Sequence, residues 1–302
     1  MIPAFPRFAP IIKSHKSHVD LITRRYDPYS DFNFVSLFGW NTDGKTELSI
    51  LNNNLIIKLK NYTKEGVVYS ILGTEKLTES IQTLMDHSES LELSLIPAVI
   101  AGRLKQLRHH FSILEDRDQH DYIYDLEAIA ELQGKNYKKK RNLAHTFEKK
   151  YGADSVFSLL TLSDKYVQKE IFSLVGRWQQ NKKGPLNEDE LIGLRNVFQL
   201  YKHVFGTGIY HNKELVAFAI VENLHNQHAM IHYEKTDHNL TGVTEYLMKK
   251  TAEHLTNTGY RYLNFQQDLG EQNLRAAKTL WRPMKFLLKY RVIRKDYQGS
   301  DL

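Results

Sequence analysis

The chain has 302 residues, 41% of them apolar, and 41 Lys and Arg against 35 Asp and Glu, for a net charge of +6. That length allows two domains with real cores, and the positive excess fits an anionic partner such as RNA, phosphate or an acidic membrane surface. The lack of cysteine excludes disulfides, thiolate metal sites and a cysteine nucleophile. No apolar run reaches the ~20 residues that cross a bilayer, and Met1 to Arg7 lacks the charged-then-apolar order of a signal peptide, so a cytoplasmic protein is expected.

Alternation and turn residues predict strands over 47–51 and 55–60, separated by Asn52-Asn53-Asn54, and a third over 67–72. Gly73-Thr74 leads into a helix over 75–86, followed by a strand over 91–96, a helix over 98–107 and a strand over 110–114. A strand over 155–162 and helices over 165–180 and 187–204 come next. The earlier order then returns: a hairpin of 208–211 and 214–222 across Asn212-Lys213, a strand over 228–235, and a helix over 243–256 entered through Gly242. A strand over 260–265, a helix from Gly270 and a strand over 286–293 complete it.

Three antiparallel strands, a helix, a strand, a helix and a strand, met twice, resemble the acyltransferase fold of the GNAT type. The expected class is α+β, with two tandem lobes, each a mixed and mostly antiparallel sheet flanked by helices. The predicted boundary gives an N-terminal lobe over 1–118 and a C-terminal lobe over 119–302 carrying the basic helix and the site.

That basic helix, Gly134 to Tyr151, has seven Lys or Arg in 18 positions. Tyr137, Ala144, Phe147 and Tyr151 form its apolar stripe, Lys140 falls on the stripe and Arg141 borders it. A cation on an inward face must find a partner. Either Lys140 buries its stem and keeps its ammonium in water, or the two cations hold phosphate, which arginine grips bidentately.

Near the C-terminus a strand runs into Asn264-Phe-Gln-Gln-Asp268-Leu-Gly270-Glu271 and a helix. Asp268 three residues before Glu271 has the spacing of a capping box. Leu274, Ala277 and Trp281 are expected on one face, and Arg275 and Lys278 together on another. Two cations beside the carboxyl end of a strand predict an anionic ligand there.

Asp121-Tyr122-Ile-Tyr124, then Gly134-Lys-x-Tyr137 with Lys140-Arg141-Asn142, Glu234-Lys235-x-Asp237 with Gly242, and Asn264-x-x-Gln267-Asp268-Leu-Gly270 with Leu274-Arg275 and Lys278 together resemble the cytosolic domain of bacterial phosphatidylglycerol lysyltransferases. The likeness is strongest over 120–292 and reaches weakly to Asp31, Asn33, Phe38 and Trp40. It implies transfer of an aminoacyl group from aminoacyl-tRNA, in the lipid-modifying members to a phosphatidylglycerol hydroxyl. It also implies substrate contacts for Lys140, Arg141, Lys235, Gly242, Asn264, Arg275 and Lys278. Two departures stand out: Phe265 and Gln266 replace an expected Arg-Glu pair, and Ala276 replaces a basic residue.

Such a transfer needs a proton acceptor, stabilisation of an oxyanion and a hold on the tRNA end. Glu234 and Asp268 are the candidates for proton handling, with Glu222 a weaker third. Each has a plainer reading: Asp268 as a helix cap, Glu234 as a strand-end carboxylate paired with lysine, Arg275 and Lys278 as surface ion pairs. The acyl-CoA loop of the fold is not intact at Asn239-Leu-Thr-Gly242-Val-Thr244, although backbone amides there could still take an anion. The fourteen histidines show no metal spacing. The expected activity is therefore aminoacyl transfer from tRNA to a hydroxyl or amine, without metal or redox cofactor. An acyl-CoA-dependent N-acyltransferase, and a non-catalytic binder of RNA or anionic lipid, are the alternatives. An anionic phospholipid surface at the inner membrane face is a further expected partner, and the sequence carries no signal for an oligomeric state.

Overall fold

The structure, a computed structural model, describes residues 1–88, 92–105, 109–181 and 188–295. In chain order the first elements are β1 (Ala9–Pro10), α1 (Lys16–Thr23), α2 (Phe34–Gly39), β2 (Glu47–Leu51), β3 (Asn54–Lys60), β4 (Val67–Leu72), α3 (Leu77–Ser88), β5 (Glu92–Pro97), α4 (Ala98–Leu104) and β6 (Phe111–Glu115). Then come β7 (Asp121–Asp125), α5 (Leu126–Glu131), α6 (Lys138–Tyr151), β8 (Ser155–Leu160), α7 (Lys165–Asn181), α8 (Glu188–Phe198), β9 (Phe205–His211), β10 (Glu214–Asn223) and β11 (His228–Thr236). The last are α9 (Val243–Asn257), β12 (Tyr262–Asn264), α10 (Gln272–Thr279), β13 (Lys285–Leu287) and β14 (Lys289–Arg294). Residues 91, 106, 107 and 187 of the expected elements lie outside the described residues.

The chain divides into two compact units: Met1–Asp121 with Gln267–Arg275 and Phe286–Leu302, and Tyr122–Gln266 with Ala276–Lys285. A single cut between 118 and 119 gives contiguous lobes instead. The difference arises because two C-terminal segments return to the first unit.

The first unit holds an antiparallel sheet in the order β1-β2-β3-β4 and a second in the order β5-β14-β6. Asn52 and Asn53 turn β2 into β3 with φ of 49° and 62°, a left-handed pair that asparagine tolerates better than most residues. α3 and α4 cover a core of Ile56, Ile71, Ile81, Leu84, Ile96 and Phe111. The expected strand over 286–293 is two pieces, of which β14 pairs with β5 and β6. β14 opens on Lys289, fully buried against two equally buried carboxylates: its ammonium donates to Asp121 at 2.8 Å and pairs with Asp31. Ser30 hydroxyl donates to Asp121 at 2.6 Å, and Tyr62 bonds Asp31. Burial alone would lower the Lys289 pKa, but Asp121 and Asp31 outweigh it and raise it; burial holds Asp31 above the usual carboxylate range.

The second unit is built on a sheet in which β7-β12-β11-β10-β9-β8 follow one another in that order. The hairpin between β9 and β10 turns through Asn212 and Lys213, both at positive φ. α7 packs on β10 and β11, and α9 packs on β9, β10 and β11 and against α5 and α6. The order of three antiparallel strands, helix, strand and helix occurs twice along the chain, as expected. β7, unexpected from sequence, completes the second sheet beside β12. No helix among the described residues is long and apolar enough to cross a membrane.

Candidate active site

β11 and β12 run parallel for three pairs, His228 with Tyr262, Ala229 with Leu263 and Met230 with Asn264, where the ladder ends. β11 continues beside β10 to Thr236. Beyond Asn264 the chain follows β7 instead: Phe265 N–H donates to Tyr122 O at 3.0 Å, and Tyr122 N–H to Gln266 O at 3.1 Å. The sheet thus opens at the carboxyl ends of two parallel strands, where such sheets commonly hold ligands. Fully buried Asn264 fixes the turn, accepting from Gln266 N–H at 2.7 Å. Gln266 bridges the opening through its side-chain amide, which donates to Ile231 O at 2.8 Å.

Glu234 lies on β11 past the point where the strands part. The residue is partly exposed, and its carboxylate makes no hydrogen bond or ion pair with any described residue. Burial among surrounding atoms pushes its pKa up to about 7, against the pull of Lys235, Lys140 and Lys278, while Glu245 pushes it further up. A carboxylate that is half ionised near neutral pH and free of partners is suited to accept a proton.

Lys140 does reach inward from α6, as its stripe predicts, but its partner is protein. Its ammonium donates to Glu245 on α9 at 3.0 Å and lies 4.3 Å from the Trp281 ring centre. Lys278 is 6% exposed; it donates to Phe265 O at 2.5 Å, and its ammonium lies 5.1 Å from the Phe265 ring and 5.6 Å from that of Tyr122. Lys235 follows Glu234 on an extended strand and so points to the opposite face. There it pairs with Glu190 of α8 at 2.6 Å and lies 4.0 Å from the Trp178 ring of α7. Glu222 is also buried, 3.1 Å from His232.

Arg141 is exposed on α6 and bonded to backbone. It donates to Leu132 O at 2.5 Å and Gly134 O at 3.2 Å, satisfying carbonyls at the end of α5. Gly242 enters α9 at φ 85°, and a Cβ there would lie 2.0 Å from Leu143 O of α6. The glycine is required by that close backbone approach.

Asp268 and Arg275 belong to the first unit, and Lys278 to the second. Arg275 grips fully buried Asp268 with two bonds of 2.9 and 2.7 Å and reaches Asp118 at 2.7 Å; Arg117 adds a bond to Asp268 at 3.2 Å. These carboxylates raise the Arg275 pKa. The capping box does not form: Asp268 accepts from Gly270 N–H, Leu269 and Gly270 take positive φ, and α10 begins at Gln272. Burial on and after α10 does not follow the expected apolar face. Leu274 is 40% exposed, while Lys278 and Trp281 are buried. Carboxylates on Arg275, and a carbonyl with aromatic rings around Lys278, outweigh the apolar pattern.

Glu245, Glu190, Trp178 and Trp281 were not apparent from sequence. The sequence offered water or phosphate for Lys140, and the partner it has is the Glu245 carboxylate. Among the described residues no group of three His, Asp or Glu could hold a metal ion.

The sequence model of the family described as phosphatidylglycerol lysyltransferase, C-terminal, matches residues 23–293. The chain belongs to this family. Among curated proteins no sequence matches it. A Bacteroides thetaiotaomicron conserved protein of unknown function is 23% identical, covering 98% of this chain and 100% of its own, with a TM-score of 0.81. The C-terminal domain of a putative lysylphosphatidylglycerol synthetase from Agrobacterium fabrum is 14% identical over 95% of this chain and 93% of its own, at 0.64. L-PGS from Bacillus licheniformis is 17% identical over 87% of both chains, at 0.60. The fold is the expected α+β, GNAT-like acyltransferase architecture, and the phosphatidylglycerol lysyltransferase family places the chain among acyltransferases.

Proposed function

We propose that this chain moves an aminoacyl group from aminoacyl-tRNA to a hydroxyl or amine, on a phosphatidylglycerol-like lipid or a small molecule. The observation that carries the reading is Glu234, a carboxylate without a direct partner among the described residues, its pKa pushed up to about 7, at the opening between two parallel strands. In the reaction the acceptor oxygen or nitrogen bonds to the ester carbonyl carbon as Glu234 takes its proton. The bond to the ribose oxygen then breaks, and Glu234 returns the proton to that oxygen. Lys278 and Lys140, both acting on Glu234 through their charge, supply a positive field for the tetrahedral oxyanion. Asn264 and Gly242 hold the turn and helix that frame the opening, and Lys235 acts from the far face. Asp268, Arg141 and Arg275 serve the fold.

An ester on tRNA is favoured over a CoA thioester by Gly242, whose lack of a side chain is accounted for by Leu143 O rather than by a ligand. The exposed Lys138, Lys139, Lys149 and Lys150 of α6 offer a positive face to tRNA phosphates or lipid headgroups. The test incubates radiolabelled aminoacyl-tRNAs with the protein and a lipid plus small-molecule extract, with heat-killed protein as control. Label entering the extract supports the proposal. Label that stays on bound tRNA points to a non-catalytic binder and overturns it.

A further inference from the structure

We infer that the second unit carries a ligand site apart from the proposed reaction centre, and that this site takes an aliphatic primary amine as its ammonium ion. It is a cavity of about 590 Å³ between β8, the first turns of α7 and the turn after β9, a volume in the range that small molecules occupy. The cavity lies on the face of the sheet away from Glu234. Glu234 stands in one row across the sheet with Ala219, Thr207 and Leu159. Val156 and Ser158, which line the cavity, alternate with Leu159 along β8 and so point to the opposite face.

The lining has the chemistry of a cation seat. Tyr166 is 68% exposed, and its ring meets no other ring and no cation among the described residues. Glu170, four residues on along α7, shares that helix face and lines the same cavity. Its carboxylate accepts from the Tyr210 hydroxyl at 2.7 Å, which uses one of about four lone-pair positions. No described cation pairs with it or with Asp154. Of the described lining residues two are carboxylates and one, Lys213, is a cation. A bare aromatic face beside a carboxylate with acceptor capacity left over is where an organic cation settles. Ala153, Val156 and Val167 add an apolar wall for a short alkyl stem. An anionic ligand would meet the two carboxylates, and a neutral one would cover them without pairing them.

The test titrates the full chain, its tyrosine rings isotopically labelled for NMR, with n-pentylammonium or with pentan-1-ol, which keeps the stem and drops the charge. Pentylammonium should shift the Tyr166 and Tyr210 signals saturably and bind roughly tenfold more tightly than pentanol, the scale by which a charged hydrogen bond exceeds a neutral one. Glu170→Gln keeps an acceptor for Tyr210 and removes the charge. It should weaken pentylammonium roughly tenfold and leave pentanol unchanged. Tyr166→Ala should weaken pentylammonium about threefold, and Tyr166→Phe, which keeps the ring face, should restore wild-type binding. Thermal unfolding checks that each variant is folded, as expected for a side chain as exposed as Tyr166. Equal affinity for the two probes, or no saturable binding of the ammonium, overturns the inference. An affinity indifferent to both Glu170→Gln and Tyr166→Ala overturns it as well.

Discussion

Lys140 on α6 and Glu245 on α9 meet at 3.0 Å, both side chains nearly buried. Because Glu245 already has this partner, and Lys235 has Glu190 on the far face, Glu234 is left without a direct one among the described residues. It is the group on which the site's chemistry and its cost both fall.

Glu234→Gln should stabilise the fold at alkaline pH. The folded pKa, about 7, is raised above the ordinary glutamate value, so the stability linked to this group is full below about pH 4.3 and is lost as pH rises through 7. Neutral glutamine removes that loss. The variant should match wild type near pH 4 and exceed it by up to about 3 kcal/mol at pH 8.5. Denaturant unfolding at the two pH values measures the difference; equal stability at pH 8.5 would show that burial does not oppose the charge.

Asp268→Asn should be far from silent. Were Asp268 a helix cap, asparagine would serve about as well. Holding Arg275 and Arg117 from full burial, it should cost about 1–3 kcal/mol when its charge is lost. A double-mutant cycle with Arg275→Met should return coupling of either sign above about 0.5 kcal/mol.

Lys289→Met leaves Asp31 and Asp121 facing each other in a dry interior. Removing one partner of such a cluster costs roughly 3–5 kcal/mol. Without the lysine two buried carboxylates lose their counter-charge, so the deficit should grow as pH rises and shrink in acid. Urea midpoints at pH 4.5 and 8 report it, and a deficit independent of pH would contradict the arrangement.

Gly242→Ala combines positive φ with a Cβ 2.0 Å from Leu143 O. It should cost roughly 3 kcal/mol or more, seen as a lowered unfolding midpoint. A near-neutral result would mean that α6 and α9 do not approach as described.

What the sequence made legible follows from the range of each interaction. Strands such as β2, β3, β9 and β10 announce themselves through alternation and the Asn turns between them, which are local. β7 and α5 are short, and five or six residues carry too little periodicity to be read. The faces of α10 were read from Leu274 and Ala277, but ion pairs and a carbonyl decide them. The inward turn of Lys140 was legible from its stripe; Glu245, 105 positions away, was not. Glu234 was legible as a strand-end carboxylate. Its lack of a direct partner depends on where three lysines and two other glutamates find theirs, and only the fold fixes that.

The most direct test of the central claim is the single-turnover rate of aminoacyl transfer from labelled aminoacyl-tRNA, measured from pH 5.5 to 8.5 for wild type and Glu234→Gln. The account predicts a wild-type rate that rises with pH through a midpoint near 7, as Glu234 ionises, and a rate at least about 100-fold lower in the variant. A variant that keeps the wild-type rate and midpoint would contradict it.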